Sequence, residues 1–432
     1  MRIELPFGKN TLTLSIPDRK VKEIVTKGDE QREIEREDID LKETVASPLH
    51  GPTLKEIAKG KKVCLLVEDA TRSEPHSEMI FALMAHLKTA KGINGILATG
   101  THNPLTRENR AIMDTLARAA ANYHVKLNIL SPNSAFFSRF DEYGETSRGT
   151  PVKINAHLRH CDVVVIAADM KNHYFAGYSC AYKDILPGIS SFDSIEKNHS
   201  FALDERAIFG THPAHPDPSR RINPVAEDIV EAAEIVLDDK ENFVLGVVSI
   251  DKKPISAFSG DIFTVTRRGI EAVDRYFTRR VEKTDYLVLS PGGFPQDESL
   301  YNAQRGLEMV RNALNPGAEV LMIAECSKGI APSPDAMKFF YNPLLEEKLE
   351  DILSWKRENY RLYTHKAQRF ARFLKDFRLH LHTSLGKEMV EAMGVNYVPD
   401  PQKLIDSWLR KDPKAEITIV DGGNKIGLLE KG

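Results

Sequence analysis

Apolar residues along this chain gather into short unbroken runs, separated by stretches with helical spacing. Eight runs have the length and composition of buried strands: KKVCLLVED (61–69), GINGILATG (92–100), VKLNILSP (125–132), CDVVVIAAD (161–169), NFVLGVVSI (242–250), DYLVLSPGG (285–293), AEVLMIAEC (318–326) and FRLHLHTS (377–384). Between many of them apolar residues recur three and four apart, as in HSEMIFALMAHLKTA, RENRAIMDTLARAA, PVAEDIVEAAEIVL, GDIFTVTRRGIEAVDRYFTRRV and SLYNAQRGLEMVRNAL. Strand–helix alternation with short connections predicts right-handed βαβ units. The expected fold class is α/β: two Rossmann-like domains with mainly parallel sheets and an active-site cleft between them. SIDKKPISAFSGD breaks the pattern near 251–265, so the domains expected are 1–262 and 263–432. The opening MRIELPFGKNTLTLSIP alternates apolar and polar residues, which predicts a hairpin and not a signal peptide.

In parallel sheets, ligands sit beyond the carboxyl ends of the strands. Four predicted strands end in polar or glycine-rich residues: Glu68-Asp69-Ala70-Thr71-Arg72, Gly100-Thr101-His102, Asp169-Met170-Lys171-Asn172-His173 and Ser290-Pro291-Gly292-Gly293. These loops are expected to converge on a ligand.

Composition narrows the ligand class. The formal net charge is −3 over 432 residues, so no basic excess points to nucleic acid. No apolar run approaches the roughly 18 residues of a membrane span. Cys64, Cys161, Cys180 and Cys326 are scattered and form no CxxC pair, which fits a reduced, cytoplasmic protein. Neither a P-loop, nor a GxGxxG fingerprint after an early strand, nor a GxSxG elbow occurs.

Each candidate residue has a plain reading beside a chemical one. Asp69 and Thr71 in DATRSEP suit a helix cap, whereas Arg72 at a strand end carries the planar fork that grips a carboxylate. His102 in GTHNPLT and His173 leave two different strand ends, as a two-base proton shuttle requires. His212, His215 and Asp217 in THPAHPDP read as a cleft rim or a metal site. Asn302 and Arg305 share a face of a helix start, either solvated or gripping an anion.

Taken in order, DATRSEP, GTHNPLT, HYFAGYSCAYKDILPG, IEKNHS, INPVAEDI and GGFPQDESLY resemble the nickel-dependent lactate racemase (LarA) family over nearly the whole chain. The resemblance implies a nickel-pincer nucleotide, Ni(II) pyridinium-3-thioamide-5-thiocarboxylic acid mononucleotide, made by separate enzymes of the host. It implies Lys183 as the tether, His199 as the protein ligand to nickel, and Asp69, Thr71 and Ser179 beside the cofactor. His102 and His173 match the family's acid/base pair and Arg72 a substrate-contacting arginine. The implied reaction moves hydride from a 2-hydroxy acid to the cofactor, through a 2-keto acid, and back to the opposite face.

Three departures bear on that reading. Cys180-Ala181 stands where the family usually has two glycines, which opens the alternative of a cofactor-less member that binds a hydroxy acid or nucleotide without racemizing it. Asn302 and Arg305 replace a glutamine and a lysine, and His365 falls where lactate racemase has a tryptophan. The pocket is then more polar and roomier, so the expected substrate is not lactate but a larger or more polar 2-hydroxy acid.

Overall fold

The computed structural model describes residues 1–26, 39–72 and 74–431. The chain divides into two compact units, one of Glu35–Ala207 with Thr211–Arg275, the other of Met1–Ile34, Ile208–Gly210 and Tyr276–Gly432.

The larger unit is built on a six-stranded sheet, in the order Lys253–Gly260, Glu241–Ile250, Val163–Asp169, Lys62–Glu68, Gly92–Ala98, Leu127–Pro132. The last five are parallel; Lys253–Gly260 is antiparallel to its neighbour. Numbered along the chain, the parallel strands run 3-2-1-4-5, the order of a Rossmann-like half. Val163–Asp169 is buried at every position and Lys62–Glu68 at all but the first, as expected of central strands covered on both faces. Helices His76–His86 and Arg107–Asn122 cover one face through Met79, Ile80, Leu83, Ile112 and Leu116.

The smaller unit holds a second six-stranded sheet, all parallel, in the order Asn396–Tyr397, Arg378–His382, Leu314–Ile323, Thr284–Ser290, Ile417–Asp421, Val21–Val25. The N-terminal hairpin forms as the alternation requires, Arg2–Phe7 against Asn10–Ser15, and buries Leu5 and Leu14 in a cluster with Val288, Leu321 and Trp408.

The division differs from the expected 1–262 and 263–432. SIDKKPISAFSGD is not a linker. Glu241–Ile250 and Lys253–Gly260 are arms of a hairpin whose turn, Asp251-Lys252, has positive φ at both residues, as a type I′ turn needs. The following helix, Ile262–Phe277, belongs to the larger unit almost to its end. The N-terminal segment joins the smaller unit because Val21–Val25 pairs with Ile417–Asp421, a contact between distant parts of the chain. The helix expected over 299–314 is interrupted at Gln304, giving Leu300–Ala303 and Arg305–Val310.

Ile166, fully buried on Val163–Asp169, reports on the larger sheet. Ile166→Ala is expected to destabilise that unit by about 2–5 kcal/mol. Urea unfolding followed by a probe in residues 35–275 checks it.

Candidate active site

The chain of the larger unit runs to one side of its first strand, through Gly92–Ala98 and Leu127–Pro132, then returns to the other side at Val163–Asp169. This reversal leaves a crevice beyond the carboxyl ends of the adjacent strands Lys62–Glu68 and Val163–Asp169, where an open α/β sheet binds its ligand. DATRSEP leaves the first of these strands and DMKNH the second; of the former motif, Ser73 lies outside the described residues.

Asp69 organises one wall. Its Oδ1 accepts from the Thr71 backbone at 2.9 Å, closing a tight turn, and its Oδ2 lies 2.6 Å from His102 Nδ1. Burial alone would raise the Asp69 carboxyl. The bond from His102, then the charges of His102 and Arg72, outweigh burial and hold the carboxyl at about 2. An ionised acceptor on Nδ1 places the ring proton there and leaves Nε2 of the half-exposed His102 as a base. Asn109 fixes the pair of loops. It accepts from Ala70 N at 2.9 Å and donates to Asn103 O at 3.0 Å.

His173 is held in the opposite sense. It closes a small hairpin, Lys171–His173 against Gly177–Ser179. Its Nδ1 accepts from Ala176 N at 3.1 Å, so in the neutral ring the proton is on Nε2. Gly177 permits this hairpin. Its φ is +77°, and a Cβ there would stand 1.6 Å from Thr211 O. The His173 ring meets Phe175 edge-on at 4.6 Å, and Phe175 meets His199 at 5.4 Å, so aromatic contacts join the second histidine to the third.

Lys183 lies on the short helix Tyr182–Ile185 and is 8% exposed. Burial, then Arg72, brings its ammonium down to about 7. The loop is tied to that of His102, since Gly188 N donates to Lys183 O and Gly100 N to Gly188 O, both at 2.9 Å. His199, near the end of the helix Phe192–Ser200, is lowered to about 3 by burial and then by Lys183, and is a neutral imidazole.

Buried carboxylates surround Lys183. Ligand oxygens of Glu68, Glu74 and Asp169 lie within 4.8 Å of one another. Each has a cationic partner, Arg72 for Glu68, His76 for Glu74 and Lys171 for Asp169, so charge balance asks for no metal among them. Burial and then Glu74 push Glu68 up to about 8; burial and then Glu68 push Asp184 well above the carboxylate range. Ser179 Oγ and Asp184 Oδ2 are buried without hydrogen-bond partners among the described residues.

Asp69, Thr71, Arg72, His102, His173, Ser179, Lys183 and His199 all belong to the larger unit. Asn302, Arg305 and His365 belong to the smaller one. There, His365 is 3% exposed, with Nδ1 2.6 Å from the Tyr360 hydroxyl. His212, His215 and Asp217 have other work. His212 Nε2 lies 3.6 Å from Cys180 Sγ, His215 contacts Asp274, and Asp217 caps the turn Pro218–Arg220. Reading the sequence gave no role to Asn109 and Asp184, and named Glu68 only as part of a strand end. Glu68 resembles any strand residue and Asn109 any helix residue. Asp184 beside Lys183 was a visible signal, a carboxylate next to an amine in an otherwise apolar run.

Comparison with known proteins identifies the relatives of the chain. The model of the lactate racemase N-terminal domain matches residues 7–210 and that of the C-terminal domain residues 280–426. The lactate racemases of Thermoanaerobacterium thermosaccharolyticum and Lactiplantibacillus plantarum are 26% and 25% identical to the chain, each over 99% of both sequences. The solved lactate racemase apoprotein of the former organism superposes with a TM-score of 0.83 at 23% identity, covering all of both chains. A Thermotoga maritima protein of solved structure shares the fold at a TM-score of 0.59 and 15% identity, over 92% of this chain and all of its own. The class so defined is that of the racemases, which are isomerases. The chain belongs to the lactate racemase family.

Because Lys183 titrates near 7 when folded and near 10.5 when unfolded, the unfolded chain holds the extra proton between those values. Its contribution to stability therefore rises with pH across that window. Labelling of the Lys183 amine by a small acylating reagent, read by peptide mass spectrometry, is expected to level off above about pH 8, while surface lysines gain reactivity through pH 10. A Lys183 rate that climbs with the surface lysines would contradict a neutral amine.

Proposed function

We propose that this chain is a racemase or epimerase of a 2-hydroxy acid that is larger or more polar than lactate. The observation that carries the reading is the pair of histidines held in opposite tautomers, His102 by Asp69 and His173 by the Ala176 backbone, in the same unit as Lys183 and His199.

The residues fit the nickel-pincer nucleotide that the family resemblance implies. Lys183 offers an amine neutral enough to be acylated. His199 offers a neutral imidazole, a suitable Ni(II) donor. Ser179 Oγ is an unsatisfied buried hydroxyl available to a polar group. Cys180 does not crowd this set, since its thiol meets His212 and stays protonated, pushed up to about 12 by burial. When bound, the cofactor would supply the acceptor and donor of hydride.

The protein's own residues do the rest. Arg72 binds the substrate carboxylate; burial opposes its charge, but Glu68, Asp69 and Asp169 keep it protonated. His102 Nε2 takes the hydroxyl proton; with hydride accepted by a bound cofactor, a 2-keto acid would remain. His173 Nε2 donates a hydrogen bond to the same oxygen. A bound cofactor able to return hydride to the opposite face would, with a proton restored to the oxygen, give the enantiomer. To act as a base itself, His173 has to move its proton to Nδ1 and give up the Ala176 bond. The specificity reading itself rests on the sequence departures at Asn302, Arg305 and His365.

Asp69→Asn is expected to lower turnover roughly 10²- to 10⁴-fold with the fold intact, because an amide can donate to Nδ1 and shift the His102 proton to Nε2. Racemization rates and the ¹⁵N shifts of His102 together check it; a normal rate with an Nε2–H tautomer would remove His102 from the base role.

Holoprotein, verified by an intact-mass adduct on Lys183 after co-expression with cofactor-making enzymes, is to be assayed by chiral separation on a panel of 2-hydroxy acids deuterated at the alpha carbon. The best substrate is expected to be bulkier or more polar than lactate, with deuterium retained in the product. Lactate as the best substrate sinks the specificity reading, and deuterium washed out to solvent sinks hydride transfer.

A further inference from the structure

Asn223 opens the helix Pro224–Leu237 of the larger unit and is fully buried. Its side chain faces two ways. Oδ1 accepts from the backbone N–H groups of Val225 and Ala226, both at 3.1 Å, which is helix capping. Nδ2 turns back to the loop that carries His173. It donates to the Phe175 carbonyl at 2.9 Å and to the Thr211 hydroxyl at 3.0 Å. Two backbone donors at one end and a carbonyl at the other fix which amide atom is oxygen.

The Phe175 carbonyl shares its peptide unit with the N–H of Ala176, and that N–H is the one donated to His173 Nδ1 at 3.1 Å. This peptide bond is trans, so its C=O and N–H lie in one plane and point in opposite directions. Turning the plane would pull one end from Asn223 and the other from His173 together. Asn223 therefore acts on the His173 ring through one rigid group. Capping alone does not call for asparagine here. Serine or aspartate caps as well, but neither presents an amide donor on the far side of the capping oxygen.

The residues after Ala176 are braced from the same direction. Tyr178 N donates to Ala176 O at 2.9 Å, and Thr211 O packs so closely on Gly177 that no Cβ would fit. The Tyr178 hydroxyl donates to Asp274 at 2.5 Å and accepts from Arg220 at 2.6 Å, while Arg220 and His215 also bind Asp274. A buried polar network is weak evidence of added stability, but it fixes one geometry. The segment from Thr211 to Asn223, which includes THPAHPDP, thus grips residues 175–178 at successive points.

We propose that Asn223 is a positioning residue for racemization: through the Phe175–Ala176 peptide it keeps the Ala176 N–H on His173 Nδ1 and so holds the His173 proton on Nε2. This rests on the reading of His173 as the group that bonds the substrate oxygen. With the plane released, Nδ1 loses its donor and a share of the molecules presents a bare Nε2 instead of an N–H.

Asn223→Ser tests this, because it keeps a capping oxygen and removes the amide donor. The tautomer is read by NMR of the full chain labelled with ¹⁵N-histidine, with the His173 signals identified by their loss in His173→Gln. The rate is read by chiral assay of the holoprotein on the 2-hydroxy acid that turns over fastest. In Asn223→Ser the His173 Nδ1 and Nε2 shifts are expected to move toward each other and those of His102 to stay in place. Turnover is expected to fall about tenfold with KM nearly unchanged, at a melting temperature close to that of the parent. Asn223→Asp, which also caps and has no donor, is expected to do the same and serves if the serine variant does not fold. A capping role alone would leave the His173 shifts where they are, and unmoved shifts in these variants overturn the proposal. A mixed tautomer with parental turnover, where His173→Gln is inactive, overturns it too. Normal racemization by His173→Gln instead rejects the reading of His173, and the role of Asn223 in the reaction falls with it.

Discussion

Ionised groups buried at the carboxyl ends of the central strands must compensate one another, and that constraint shapes the larger unit's site. Glu68, Glu74, Asp169 and Asp184 are all buried there, where an isolated carboxylate would be strongly disfavoured. Arg72, His76 and Lys171 answer three of them, and Asp184 retains its proton more strongly. The same burial acts in the opposite direction on Lys183 and His199, removing their charge. One dry, crowded environment therefore yields a permanently charged arginine, a neutral amine and a neutral imidazole from residues far apart in sequence.

Much of this was legible in the sequence. The eight apolar runs all became strands; the central ones, such as Val163–Asp169 and Lys62–Glu68, are marked by the continuous hydrophobicity of strands buried on both faces. The strand-end rule singled out Asp69, Arg72, His102 and His173 as candidates, and the resemblance added Lys183 and His199; the structure gathers all six in the larger unit. The division into units was not legible. Periodicity is local, whereas the pairing of Val21–Val25 with Ile417–Asp421 joins opposite ends of the chain. The turn at Asp251-Lys252 lacks the Gly or Asn that usually marks positive φ, so it read as an interruption.

Roles within the site were less legible than positions. From spacing alone, Asp69 suited a helix cap, and the resemblance placed it beside the cofactor. The structure gives one oxygen to a local turn and the other to His102, so the carboxylate shapes the loop and sets the tautomer together. His102 and His173 looked like equivalent partners, yet one Nδ1 faces a carboxylate and the other a backbone N–H. No sequence pattern distinguishes those environments, because they depend on which atoms a fold brings to within 3 Å.

The buried lysines of the two units illustrate how far the same physics can be turned to different ends. Lys183 and Lys366 are each almost fully buried, and for each the largest influence after burial is a neighbouring arginine. Their surroundings then diverge. Lys183 stands among several carboxylates that are already paired or protonated, so a neutral, nucleophilic amine is its resting form and a covalent attachment would make that neutrality permanent. Lys366 donates to the Tyr301 carbonyl and stands over that residue's ring, near the Arg369–Glu308 pair.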